Sequence, residues 1–370
     1  SAVLLTADLA AGQAQAAATS LDAAAWATLP AEVTVSGKDG STAPEYTKIT
    51  ITKSKDNTNP TTINITASEA ASESTIGGSG NTAAVNVTGA NTTVKFLQSG
   101  NNAAKLTVEG KDASNATTFD VKAINITKGE LAVAGFGTVS ADTITLQAAD
   151  AANRANAKIS FTGADNTKAN SLVGKLTTAN AGGTLDFTTG FGILKTYTDD
   201  NGANVDITVS GEKGATLDLS ANTDPTQRTL KLVGGTFSVA SHDTTAASFT
   251  VKNGTLEIAD AVELTSATGG SSGGVIKLEA KKADDSDGSA DLAVLKISSE
   301  KLLNFLGDKK ADGSTTDVAG AVNLTNGTLE LSNDTDISTL TFAAAAGTDE
   351  NGKITVSDTD NKSFIKGGLL

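Results

Sequence analysis

The chain has 370 residues, with 42 Asp and Glu against 28 Lys and Arg, a formal net charge of −14, and neither Cys nor Met. Missing thiols exclude disulfide staples, thiolate metal sites and cysteine nucleophiles. The acidic balance argues against nucleic-acid binding, which depends on clustered Lys and Arg, and instead favours solubility and divalent cations. Aromatic residues make up only 4% of the chain, so a broad globular core is hard to build, whereas a thin core with frequent Gly, Asn and Asp turns suits the composition.

Residues 1–30 read as a short Ala-rich helix running from Thr6 towards Trp26, capped by Thr6 or Asp8 and closed by Pro30. Leu9 and Leu21 give it a weak apolar face, so it needs something to lean on, either as a local cap or as an assembly arm. Residues 31–265 form a β-rich repetitive region of short apolar–polar–apolar units separated by Gly, Asn, Asp or Ser. Val33/Val35, Ile63/Ile65, Val94/Phe96, Leu106/Val108, Ile124/Ile126, Ile144/Leu146, Ile159/Phe161, Phe249/Val251 and Leu256/Ile258 are examples. This period-two alternation is the signature of half-buried strands.

Residues 266–370 continue the pattern through Ile276/Leu278, Leu295/Ile297, Leu329/Leu331, Leu340/Phe342 and Ile354/Val356. A Gly/Ser-rich break at 266–274 opens this region, and 298–307 reads as a short helical insertion across the strand stack, with Gly307 after its end. No run of about 18 apolar residues occurs, so no helical membrane span is expected. Any export signal or anchor is expected to lie outside this sequence.

A Gly-Thr-Leu-acidic-apolar unit recurs as Gly183-Thr-Leu-Asp-Phe, Gly254-Thr-Leu-Glu-Ile and Gly327-Thr-Leu-Glu-Leu. Looser copies begin at Gly129, Gly214 and Gly235. Asn-Gly makes the corner, Leu and the next apolar residue point inward, and the acid between them faces water. From Leu217 through Phe237 to Leu256 the spacing is 20 and then 19 residues, which predicts solenoid coils of about that length.

Candidate chemistry is sparse. The single histidine, His242, lies beside Asp243, where adjacent side chains on extended backbone point apart, so it reads as a turn residue and not as part of a triad. One His and no Cys make a zinc site implausible. The acids lie along strand faces or in loops with few aromatics nearby, which does not resemble a glycosidase pair, so the chain is read as non-catalytic, without a cofactor other than calcium. Two clusters have hard oxygen ligands on Gly-containing turns: Asp284, Asp285, Asp287 and Asp291, and Asp199, Asp200, Asn201 and Asp206. They read as calcium sites or as solvated acidic loops, since neither matches an EF-hand loop. Asn-x-Ser/Thr triplets, among them those at Asn86, Asn125, Asn253 and Asn326, would accept glycans in a suitable compartment.

The stretches Val251-Lys-Asn-Gly-Thr-Leu-Glu-Ile and Leu324-Thr-Asn-Gly-Thr-Leu-Glu-Leu resemble rungs of the parallel β-helices of autotransporter adhesins. The Cys-free, acidic, Thr/Ala/Gly-rich whole is similar to bacterial and archaeal S-layer proteins. The resemblance implies an all-β, parallel β-helix or β-solenoid-like fold, with tandem β-sandwich modules as the alternative. It also implies a secreted, cell-surface structural subunit that assembles with itself into a layer, filament or sheath, tightened by calcium. An adhesin stalk that binds a host ligand or an envelope glycan is the alternative function, and a polysaccharide-acting β-helix enzyme is a more distant one.

Overall fold

A computed structural model describes residues 32–36, 61–66, 72–97, 104–163, 170–210, 214–240, 248–266, 273–280, 292–307, 319–333, 336–343, 352–357 and 363–368. The expected N-terminal helix, His242 and the cluster at 284–291 lie outside the described residues. The protein is mostly β, and its strands belong to two large parallel sheets. The chain divides into two compact units, residues 1–186 with 190–192 and residues 187–189 with 193–370. The compositional break at 266–274 falls inside the second unit.

The strands of the first unit are β1 (Glu32–Ser36), β2 (Thr61–Thr66), β3 (Ser72–Gly77), β4 (Val85–Phe96), β5 (Ala104–Glu109) and β6 (Thr117–Ile126). They continue with β7 (Gly129–Ala134), β8 (Gly137–Leu146), β9 (Ala157–Thr162), β10 (Ser171–Thr178) and β11 (Gly183–Thr189), the strand in which the division falls. One sheet has the order β1-β2-β4-β6-β8-β10, and the other β3-β5-β7-β9-β11. From β2 to β11 the chain therefore visits the two sheets alternately. Parallel neighbours cannot be joined by a hairpin and require a crossover, and from β2 to β11 each crossover contains a strand of the opposite sheet.

Apolar residues stack at equal register. Val94, Ile124, Ile144 and Leu176 form one column, and Leu106, Leu131 and Ile159 form another; all are buried. Full burial of one such side chain contributes about 2 kcal/mol, and repetition along the column builds the core that scarce aromatics could not. The β4–β6 and β8–β10 ladders are interrupted by register shifts, between Gly89 and Thr93 and at the level of Val173 and Lys175. At that level Gly174 adopts a φ of +137°, and a Cβ there would stand 1.9 Å from the Ala141 carbonyl oxygen.

The second unit contains β12 (Gly192–Tyr197), β13 (Ala203–Val209), β14 (Ala215–Asp218), β15 (Thr229–Gly234), β16 (Thr236–Val239), β17 (Ser248–Lys252), β18 (Gly254–Ile258) and β19 (Glu263–Thr265). These are followed by β20 (Val275–Glu279), β21 (Ala293–Ile297), β22 (Ala321–Thr325), β23 (Thr328–Leu331), β24 (Phe342–Ala343), β25 (Ile354–Val356) and β26 (Phe364–Lys366). Their orders are β12-β14-β17-β20-β22-β25-β24 and β13-β15-β18-β21-β23-β26, with β16 pairing both β13 and β19. Leu230, Leu256, Leu295 and Leu329 form one buried column, and Leu217, Val251, Leu278 and Leu324 another.

Three expectations need correction. Leu217, Phe237 and Leu256 do not mark successive coils, because they lie on β14, β16 and β18, in different sheets; Leu217 is instead partnered by Val251 and Leu256 by Leu230. True partners stand as close as Phe342 and Ile354, 12 positions apart, and as far as Ile276 and Val322, 46 apart. Tandem β-sandwiches are built from antiparallel pairs, whereas the strand ladders here are parallel. Leu340 and Phe342 do not form a buried alternating strand, because the Leu340 amide closes a turn onto the Ile337 carbonyl at 3.0 Å and Phe342 is exposed.

The helical insertion is α1 (Ser299–Phe305). Ser298 caps it by accepting the Lys301 amide, and Leu302 and Phe305 are buried. The Asn333 side-chain oxygen accepts from the Ser299 amide and hydroxyl at 2.9 and 2.8 Å, and Lys301 Nζ donates to the Val262 carbonyl, so the helix is tied to the strands around it.

Candidate functional site

The outward face of the strands carries a charge pattern that the sequence motif only hinted at. In the first unit, register places Glu73, Lys105, Glu130 and Lys158 one above another on β3, β5, β7 and β9. Glu130 receives Lys105 at 3.3 Å and Lys158 at 2.9 Å, and Lys158 also stands 3.9 Å from Asp186. In the second unit the column runs Lys231, Glu257, Lys296, Glu330 and Lys366, with Lys296 at 3.9 Å from Glu257. The other sheet of that unit repeats the scheme in Asp218, Lys252 and Glu279.

The acid of the Gly-Thr-Leu-acidic unit therefore does more than face water: Asp186, Glu257 and Glu330 are opposed by lysines at the same level of neighbouring strands. In-register parallel stacking brings identical positions together, so like charges would repel and alternating charges favour one register. The lysines were readable in the sequence as Ala104-Lys-Leu, Ala157-Lys-Ile, Leu230-Lys-Leu and Leu295-Lys-Ile, each a base between inward-facing residues. What was not visible was which strand each one opposes.

Corners reinforce these columns. Asn253 adopts a left-handed φ of +53° just before Gly254, which opens β18, and Asn326 one of +57° two residues before β23. From that corner the Asn253 amide donates to Asp218 at 3.0 Å. Burial opposes ionisation of Asp218, yet the bonds from Asn253 and Ser220, with Lys195 nearby, outweigh it and hold its carboxyl below the usual range. A carboxyl depressed in the folded state stabilises the fold fully above its unfolded value of about 3.9, and that contribution is lost as pH falls through the lower folded value. Asn253→Gly keeps the left-handed corner and removes the amide donor. It is expected to raise the Asp218 pKa in a carboxyl NMR titration and to move acid unfolding of the second unit to higher pH. Asp120 behaves in the opposite sense, because burial and the nearby Asp142 carboxylate push its carboxyl up.

Asp199, Asp200 and Asn201 occupy an exposed turn after β12, in which Asp199 Oδ1 accepts the Asn201 amide at 3.0 Å and the Asp200 carbonyl accepts Lys231 Nζ at 3.1 Å. Asp206 lies on β13, and its carboxylate accepts the Thr236 amide at 2.8 Å. The four are not gathered into one ligand set, and among the described residues no group of three or more His, Asp or Glu side chains is placed to hold a metal. The calcium expectation therefore rests on Asp284, Asp285, Asp287 and Asp291.

A surface hollow of about 130 Å³ is lined by Thr127, Lys128, Ala149, Asn153 and Asn156, and one of about 170 Å³ by Leu303, Leu306, Thr339 and Leu340 among others. Neither lining contains a pair of carboxyl groups. Among the described residues no helix is long and apolar enough to cross a membrane. No protein-family model matches the chain, and no curated protein or solved structure is detectably similar to it.

Proposed function

We propose that this protein is a non-catalytic structural subunit of a cell-surface layer or extracellular filament, with a parallel β-helix-like fold, that assembles with copies of itself. The observation that carries this reading is the pair of parallel sheets in which each strand adds one level to the same apolar and charged columns. Such a stack is extended by repetition, because each added strand presents backbone groups in the geometry that a further parallel strand needs. The alternating lysines and acids use charge to fix register, which is a structural task and not a chemical one.

The absence of thiols and the acidic, Thr/Asn-rich composition support an exported location. Calcium enters the reading through the acidic loop at 284–291, where bridging between copies would relieve the net charge of −14. Negative-stain electron microscopy of the purified chain, in EGTA and then in millimolar calcium, tests this. Ordered sheets or filaments that tighten or appear with calcium are expected. Dispersed monomers in both conditions would remove self-assembly and leave a monomeric ligand-binding stalk.

A further inference from the structure

We propose that the exposed turn between β12 and β13 is a self-modification site, at which Asn201 converts to aspartate and isoaspartate through attack by the Gly202 backbone nitrogen. The inference is independent of whether copies of the chain assemble.

An Asn-Gly pair carries this chemistry in its own backbone, because glycine has no Cβ to shield its nitrogen from the preceding side chain. That nitrogen bonds to the Asn Cγ and gives up its proton; the Cγ–Nδ2 bond breaks, and the side-chain nitrogen leaves with that proton as ammonia. Water then opens the cyclic imide at either carbonyl, giving aspartate or isoaspartate with no change of oxidation state.

The sequence holds the pair at Asn201-Gly202, Asn253-Gly254, Asn326-Gly327 and Asn351-Gly352, and in the first three both residues are described. The fold separates these three. Asn253 is half-buried and its amide donates to Asp218 at 3.0 Å, while the Gly254 amide donates to the Leu292 carbonyl at 2.6 Å, so both reacting groups are held. Asn326 is 5% exposed, and Gly327 is buried so closely that a Cβ on it would stand 2.6 Å from Leu278 Cβ. At either corner the side chain cannot swing onto the glycine nitrogen, nor water reach an imide, until the strand entry opens.

Asn201 differs in each respect. It is exposed, and its side-chain amide has no hydrogen-bond partner among the described residues. The Gly202 amide closes the turn onto the Asp199 carbonyl at 3.1 Å, a single bond in an exposed turn that opens at little cost. The product also meets a partner. The neighbouring Asp200 carbonyl accepts Lys231 Nζ at 3.1 Å, and Lys231 begins the column that continues through Glu257, Lys296, Glu330 and Lys366. Conversion therefore adds a carboxylate to the Asp199-Asp200 run beside the lysine that ends a charge column. The isoaspartate form also lengthens the backbone just before β13.

The test ages the folded full-length chain in warm, mildly alkaline buffer and follows each Asn-Gly peptide by mass spectrometry, with isoaspartyl methyltransferase labelling of the products. The peptide holding Asn201 is expected to gain the deamidation mass about tenfold faster than those holding Asn253 and Asn326, which must wait for local opening. In the urea-unfolded chain the three rates should come within about twofold of one another. Asn201→Gln changes an exposed side chain, so melting should be unchanged while labelling of that peptide is lost. Conversion at Asn201 no faster than at the two corners of the folded chain would overturn the proposal. A rate ratio that survives unfolding would also overturn it, by assigning the preference to local sequence and not to the fold.

Discussion

Replacement of Gly174 by alanine is expected to destabilise the first unit by about 3–5 kcal/mol, combining backbone strain with forced overpacking. Gly174 sits where the register of β10 against β8 shifts, at a φ of +137° that side-chain-bearing residues rarely adopt. The added Cβ would lie 1.9 Å from the Ala141 carbonyl oxygen, a backbone atom that cannot rotate away. Ala141 is itself held in register against Val121 of β6, so relief at one level would disturb the next. Urea unfolding followed by far-ultraviolet circular dichroism would show the midpoint fall. A midpoint within error of wild type would mean that Gly174 does not have this conformation.

Reversal of one charge in the middle of a column is expected to have the next largest effect. Glu130→Lys removes the contacts to Lys105 and Lys158 and sets three ammonium groups at successive levels. Glu130 is only 19% exposed, so its contacts are screened less than a surface pair, and a loss of about 2 kcal/mol is expected at low ionic strength. Much of that loss should be recovered in about 1 M salt, where the Debye length falls to about 3 Å. Glu130→Gln, which deletes attraction without adding repulsion, should lose less than half as much and respond weakly to salt. Equal losses for both variants, with no salt dependence, would show that the column contributes packing and not charge pairing.

The strand content was legible because alternation is a local signal. Val94/Phe96, Leu106/Val108 and Leu256/Ile258 are read correctly from five residues or fewer, and each is buried on the strand expected. Register was not legible, because it pairs residues whose separation varies from 12 to 46 positions according to the segments between them. The recurring Gly-Thr-Leu unit therefore suggested a coil length when it marked only a common strand entry, shared by β14, β16 and β18 in different sheets. Leu340/Phe342 misled because the same local alternation can end in a turn, with the Leu340 amide bonded to the Ile337 carbonyl and the Phe342 ring exposed.

The same limit applied to the candidate site. Asp199 and Asp206 are close in sequence, yet one closes its own turn and the other reaches the Thr236 amide of a different strand. Sequence proximity could propose a cation cluster but could not determine where the carboxylates were already committed. Conversely, Lys105 and Glu130 are far apart in sequence and adjacent in space. The charge columns became visible only when the ladders placed those residues at one level.

Self-association is the central claim, and sedimentation velocity of the wild-type chain over a wide concentration range measures it most directly. The expected result is a monomer at low concentration that gives way to a growing series of larger species above a threshold. A single sedimenting species of monomer mass at every concentration, with and without calcium, would contradict it.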